Sequence, residues 1–249
     1  MATAILSALP EEQAGLVQEL QQARRSVHAG RMFWQGTLHG HGVVLALSGI
    51  GKVAAATTAT ALIERFGVAR IVFTGVAGGV GAGVRVGDVV VASDYVQHDM
   101  DASPLFPRWE LPGYARTRLA CDGPLSALLL EAARACVERE GFDFGQKADA
   151  PPARVHQGLM ASGDRFVSAA RDAQALRDAL AAAGHEVLAV EMEGAAVAQV
   201  CADYGLPFAA MRTISDRADD EAHGDFARFV ATVASRYADH IVGGLLKML

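Results

Sequence analysis

Short apolar runs alternate with longer amphipathic stretches along most of this chain. Residues 3–8, 42–47, 70–74, 88–93, 155–162, 186–190 and 208–214 have the length and composition of strands. Helical patterns occupy residues 11–24, 52–65, 124–140, 168–183, 194–204 and 226–246. Such alternation predicts an α/β fold, with a largely parallel sheet covered by helices on both faces. Two stretches break the rhythm. Residues 95–118, with their aromatics and prolines, and residues 145–154, with Pro151-Pro152, are expected to be long loops. No repeat or linker divides the 249 residues, so one domain is expected over 1–249.

The chain carries a net charge of -6 and no Lys/Arg cluster beyond pairs such as Arg24-Arg25. That balance argues against a general nucleic-acid role, which needs a basic patch. A hydrophobic fraction of 51% suffices for a sizeable core. No run is long enough to cross a membrane, and the first residues lack a signal-peptide pattern. Cys121, Cys136 and Cys201 are odd in number and fit neither a disulfide framework nor a metal site. Reduced thiols and a cytoplasmic location are therefore expected.

Chemistry-bearing residues gather where strands are expected to end. Val190-Glu191-Met192-Glu193 and Arg212-Thr213-Ile214-Ser215-Asp216 each close an apolar run. In open α/β sheets such ends line the ligand crevice. Glu191, Glu193 and Asp216 are therefore expected near one cleft, and Leu9-Pro10-Glu11-Glu12 after the first strand brings a further carboxylate. An acid in the first turn of a helix often only complements the helix dipole. Two acids flanking a methionine suggest more: a carboxylate to accept hydrogen bonds from a sugar diol, and a soft thioether against a ribose or base.

Other motifs have competing explanations. Gly75-Val76-Ala77-Gly78-Gly79 suits either close backbone approach to a ligand or a tight turn with helix packing. Gly79, Gly81, Gly83 and Gly87 do not spell the dinucleotide fingerprint, which excludes NAD. Ser48-Gly49-Ile50-Gly51-Lys52 lacks the spacing of a phosphate loop. His98, Asp99 and Asp101 are expected to be solvated or hydrogen-bonded rather than metal ligands. In the acidic run 216–221 only Asp216 is placed to face the crevice.

Taken together, several stretches resemble one family nearly end to end. They are Ala8-Leu9-Pro10-Glu11-Glu12, Ser48-Gly49-Ile50-Gly51-Lys52-Val53-Ala54-Ala55, Thr74-Gly75-Val76-Ala77-Gly78-Gly79, Val86-Gly87-Asp88-Val89-Val90, His98-Asp99, Ser162-Gly163-Asp164, Val190-Glu191-Met192-Glu193 and Ile214-Ser215-Asp216. In this order they resemble the methylthioadenosine/S-adenosylhomocysteine nucleosidases of the nucleoside phosphorylase superfamily. The resemblance implies a three-layer α/β/α fold around a mixed, partly barrel-like sheet. It also implies a homodimer in which a loop of the neighbour, bringing Leu105 or Phe106, covers the pocket. The implied reaction is hydrolysis of the bond between adenine and ribose, without cofactor or metal, through an oxocarbenium-like transition state.

By the same resemblance Asp216 is the acid that protonates adenine at ring nitrogen 7. A dry pocket would help it keep that proton. Glu12 orients and deprotonates the attacking water, Glu193 binds the ribose hydroxyls, and Met192 lies beside the sugar. Phe166 stacks on adenine, the Val167 backbone reads the base edge, and Ala77 and Gly78 line the base pocket. Arg212 and Ser215 would support Glu193 and Asp216 from behind. Ile50 and Phe226 would wall the 5′-alkylthio group. The chain departs from the family at Val76, where many members carry a serine able to hydrogen-bond near the acid. It departs again in the 100–114 and 145–154 loops, nearest the 5′ end of the substrate. Three readings follow: the hydrolase, a phosphorylase of the same fold, and a non-catalytic binding protein. Glu12 repels an anion where a phosphorylase would hold phosphate, which favours hydrolysis. Methylthioadenosine, S-adenosylhomocysteine, 5′-deoxyadenosine and aminodeoxyfutalosine all present the adenine and ribose these residues would read.

Overall fold

The computed structural model describes residues 2–139, 152–219, 222, 226–227, 229–230 and 233–249. Strand β1 (Thr3–Ser7) is buried at every position, as a strand apolar on both faces must be. It runs parallel to β4 (His41–Leu47) on one side and β5 (Arg70–Phe73) on the other. Outward from β4 come β3 (Arg31–Leu38) and the edge strand β2 (Gln21–His28), both antiparallel. Two-residue turns with positive φ at both positions, Ala29-Gly30 and His39-Gly40, close these hairpins.

Beyond β5 the sheet closes on itself. β11 (Phe208–Asp216), β6 (Val76–Gly79), β10 (Val187–Glu191), β9 (Val155–Ser162) and β7 (Val89–Gln97) pair in that order. β7 then returns to pair antiparallel with β11, which completes a five-stranded mixed barrel. A short β8 (Arg118–Ala120) lies on the outside of β7.

Alternate residues of β1 serve two cores. Ala4 and Leu6 pack with Ala59 and Leu62 of α2 (Lys52–Phe66) and Val197 of α5 (Gly194–Tyr204). Ile5 packs with Leu16 of α1 (Ala14–Glu19), Leu129 of α3 (Gly123–Val137) and Ile241 of α6 (Ala234–Leu246). A smaller cluster seats α4 (Ala170–Ala182) on the barrel through Ala173, Leu180 and Val187. The result is the three-layer arrangement around a mixed sheet. Among the described residues no helix is long and apolar enough to cross a membrane.

Several expectations are corrected. The helix expected over 11–24 is only a 3₁₀ turn, Pro10–Glu12, followed by α1. Its last residues, 21–24, instead open β2, whose backbone pairs with β3 and whose side chains are almost all exposed. Residues 75–79 are not a turn: Val76–Gly79 forms β6, held by β11 and β10. The expected 95–118 loop loses both ends, to β7 through Gln97 and to β8 from Arg118. The sheet is mixed rather than largely parallel, because barrel closure requires the antiparallel β11–β7 and β10–β6 pairs. Most of the expected 145–154 loop, residues 145–151, lies outside the described residues, as does part of the expected 226–246 helix.

Candidate active site

A cavity of 430 Å³ opens where β1, β10 and β11 end and runs along β6 from its first residue, Val76. Of the residues expected there from sequence, Glu12, Ile50, Ala77, Gly78, Phe166, Val167, Glu191, Met192, Glu193, Ser215, Asp216 and Phe226 all line it. Arg212 does not. Ala8, Leu9, Val76 and Val190, which belong to motifs quoted above but were given no binding role there, line it too, as does Arg165, which directly follows Ser162-Gly163-Asp164.

Glu12 belongs to the 3₁₀ turn that follows β1, with Pro10 in the first position. Its carboxylate reaches back to accept the N–H groups of Ala8 (2.8 Å) and Leu9 (2.9 Å) on Oε2. Oε1 accepts the N–H of Val76, at 3.1 Å. Three backbone donors therefore aim a carboxylate that is only 2% exposed. Burial raises its pKa, and the backbone donors and Arg212 counter only part of that rise. A carboxylate made more basic in this way is suited to take a proton from water.

The two acids around Met192 divide their roles. Glu191 caps α5: its oxygens accept the N–H of Gly194 at 3.0 and 2.8 Å, and Oε1 also takes the Ser162 hydroxyl. Its Oε2 pairs with Arg212 Nη2 at 2.6 Å. Glu191 thus meets the helix dipole, and Glu193 is left for the cavity, where its Oε1 accepts the Gly51 N–H at 2.8 Å. All four carboxylates expected near the cleft, Glu12, Glu191, Glu193 and Asp216, line the cavity, but the oxygens of Glu191 are committed to α5 and Arg212. One expectation is corrected. Arg212 stands behind Glu191 rather than Glu193, its guanidinium 4.0 Å from the Phe73 ring centroid. Burial, and then the Glu191 charge, raise the Glu193 pKa from 4.5 to about 8, although the Gly51 bond acts against them.

Asp216 closes β11, at an irregularity in the pairing with β6 between Ile214 and Asp216. Such bulges re-aim side chains, and here consecutive Ser215 and Asp216 both face the cavity. The Ser215 hydroxyl donates to Asp216 Oδ2 at 2.8 Å, and the Ala218 N–H donates to Oδ1 at 2.8 Å. The valine at 76 therefore does not leave Asp216 without a hydroxyl. Val76 lies at the other end of β6, where its N–H holds Glu12. Phe166 stands edge-on to Phe226, with ring centroids 5.7 Å apart. Lys52 and the Asp164 N–H engage Asp99. No group of three or more possible metal ligands occurs among the described residues.

Comparison with known proteins identifies the family. The pattern of the Phosphorylase superfamily matches residues 2–247. The 5′-methylthioadenosine/S-adenosylhomocysteine nucleosidase of Bacillus thuringiensis (strain Al Hakam) is 36% identical over 243 residues, 97% of each chain. The nucleosidase of Neisseria meningitidis, solved with methylthio-immucillin-A, superposes with a TM-score of 0.87 at 34% identity, over 100% of this chain and 99% of that one. The Streptococcus pneumoniae enzyme, solved with 8-aminoadenine, gives 0.86 at 34% identity, over 100% of both chains. Sequence, fold and cavity thus converge: the chain belongs to the 5′-methylthioadenosine/S-adenosylhomocysteine nucleosidases, N-glycosyl hydrolases of the phosphorylase superfamily.

Proposed function

We propose that this enzyme hydrolyses the N-glycosidic bond of methylthioadenosine, S-adenosylhomocysteine or both, releasing adenine and the 5′-alkylthioribose. The observation that carries the proposal is Glu12, Glu193 and Asp216 in one cavity, each held differently, beside a fourth carboxylate, Glu191, that is tied to Arg212 and α5. Glu12 is aimed by three N–H donors, Asp216 is backed by a hydroxyl and one N–H, and Glu193 is held by the single Gly51 N–H. β6 sets the spacing of the first two, since Glu12 meets Val76 and Asp216 lies beside Gly78. Two to three residues of strand span about 7–10 Å, room for a ribose and an attacking water between base and acid.

In the proposed reaction Asp216 gives its proton to adenine N7 as the C1′–N9 bond breaks. Glu12 takes a proton from water as its oxygen bonds to C1′. Glu193 accepts the ribose hydroxyls, and Met192 lies against the sugar. Phe166 stacks on the base, the Val167 backbone reads its edge, and Ala77 and Gly78 leave it room. Ile50 and Phe226 face the alkylthio group. Arg212 and Ser215 act through Glu191 and Asp216. Ile50, which lines the cavity, is 59% exposed, and Val53, Leu105 and Phe106 are exposed as well. Apolar surface of this kind fits a homodimer whose neighbour covers the pocket. The three free cysteines fit a cytoplasmic enzyme.

A phosphorylase needs a cation free to meet phosphate. Here Arg212 is committed to Glu191, and Arg165 at the rim is paired with Asp172. Adenine release from methylthioadenosine is expected to be insensitive to added phosphate; release that appears only with phosphate would overturn the proposal.

Replacing Glu193 by Gln separates stability from binding. The folded state keeps a proton on Glu193 up to about pH 8, whereas an unfolded chain gives it up near 4.5. Stability therefore declines as pH rises through that window. The Gln variant still accepts the Gly51 N–H and lacks that decline. It is expected to be more stable than wild type at pH 8–9 by about 2 kcal/mol, and to raise KM about tenfold or more. Thermal melts at pH 5 and pH 9 check this; identical pH dependence in the two proteins would refute it.

A further inference from the structure

Glu193 meets the cavity through one donor, the Gly51 N–H, in the segment that leads into α2. What fixes that segment is a closed ring of three residues from three elements. Lys52, the first residue of α2, donates its backbone N–H to Asp164 Oδ1 at 2.7 Å. Its Nζ donates to Asp99 Oδ1 at 2.5 Å and to Gln97 Oε1 at 3.1 Å. The Asp164 N–H donates to Asp99 Oδ2 at 2.9 Å, which closes the ring.

Each corner sits at a functional junction. Asp99 follows β7. Asp164 follows β9 and precedes Phe166 by two residues. Between them the buried His98 ring packs over Gly163, where a Cβ would come within 2.3 Å of it. Only glycine admits that approach, so the ends of β7 and β9 are locked face to face. The ion pair is partly shielded, with the Lys52 side chain 15% exposed and that of Asp99 32%. Burial acts to raise the Asp99 pKa, yet the bonds from Lys52 and Asp164 outweigh it and hold the carboxyl below its usual range.

Resting on the nucleosidase reading above, we infer that the Asp99–Lys52–Asp164 ring is a positioning device for ribose recognition. It fixes the Gly51 N–H, and through it the Glu193 carboxylate, against the sugar hydroxyls. The same ring anchors the segment that carries Phe166. None of the three residues lines the cavity, so they act through Glu193.

The test compares methylthioadenosine with its 3′-deoxy analogue in wild type, Asp164→Ala and Lys52→Met. Taking the variant-to-wild-type ratio on each substrate cancels the analogue's intrinsic reactivity. Loss of one hydrogen bond that orders the sugar-binding carboxyl is expected to lower kcat/KM for methylthioadenosine about tenfold in Asp164→Ala, and about threefold in Lys52→Met. On the 3′-deoxy substrate both losses shrink to about twofold or less, because the contact being positioned is gone. Lys52→Arg restores the cation and returns the ratio to near wild type. Equal losses on the two substrates, or no loss in either variant, overturn the inference. If Asp164→Ala proves unfolded by thermal melt, Lys52→Met decides by the same comparison. A wild type that releases no adenine from methylthioadenosine instead overturns the nucleosidase reading itself.

Discussion

Asp216→Asn is expected to lower kcat for adenine release by about 10⁴-fold, with KM changed only a few-fold. Asparagine has the shape of aspartate: its Oδ1 can still accept the Ala218 N–H, while its Nδ2 donates to the Ser215 hydroxyl oxygen, which turns round to accept. What it lacks is a transferable proton. General acid catalysis contributes about 10²–10⁴ in rate. The upper end applies because unprotonated adenine is a poor leaving group. A variant that melts like wild type, binds substrate and fails to turn it over is the expected outcome. Turnover within tenfold of wild type would show that the acid lies elsewhere.

Glu191→Ala is expected to destabilise the protein by about 3–5 kcal/mol, the cost of removing one partner of a buried ion pair. Arg212 is 1% exposed, and its remaining acceptors are the carbonyls of Phe73 and Met211, at 3.4 and 3.1 Å. Without Glu191 a guanidinium stays buried without its ion-pair partner, and α5 loses the oxygens that cap its first turn. Urea unfolding reports this as a lower midpoint at unchanged slope. A loss under about 1 kcal/mol would mean that Arg212 finds water or another acid on relaxation. Glu191→Gln keeps an oxygen for the cap and is expected to fall between the two.

The elements legible in the sequence are those whose apolar pattern is set by burial alone. The strand at Val155–Ser162 and the helix at Gly194–Tyr204 have the ends expected of them. β2 was not legible because, on an edge, only its backbone pairs, and Arg24 and Arg25 show no alternation. β6 was not legible because Val76-Ala77-Gly78-Gly79 has turn composition. Its strand state comes from β10 and β11, more than a hundred residues distant. The site shows the same division. The motifs carried the acids into one cavity, but adjacent sequence could not divide labour between Glu191 and Glu193. That division is made by Arg212, which arrives on β11 and claims Glu191. Likewise the position of Val76 became clear only once its N–H was found on Glu12.

The most direct test of the account is the fate of the water oxygen. Methylthioadenosine is turned over in phosphate-free ¹⁸O-enriched water, and the released sugar is examined by mass spectrometry under conditions that limit exchange at C1. The account predicts adenine in equal amount with a methylthioribose that carries ¹⁸O at C1, and loss of both products in Glu12→Gln. Unlabelled sugar, or release that Glu12→Gln leaves intact, would contradict it.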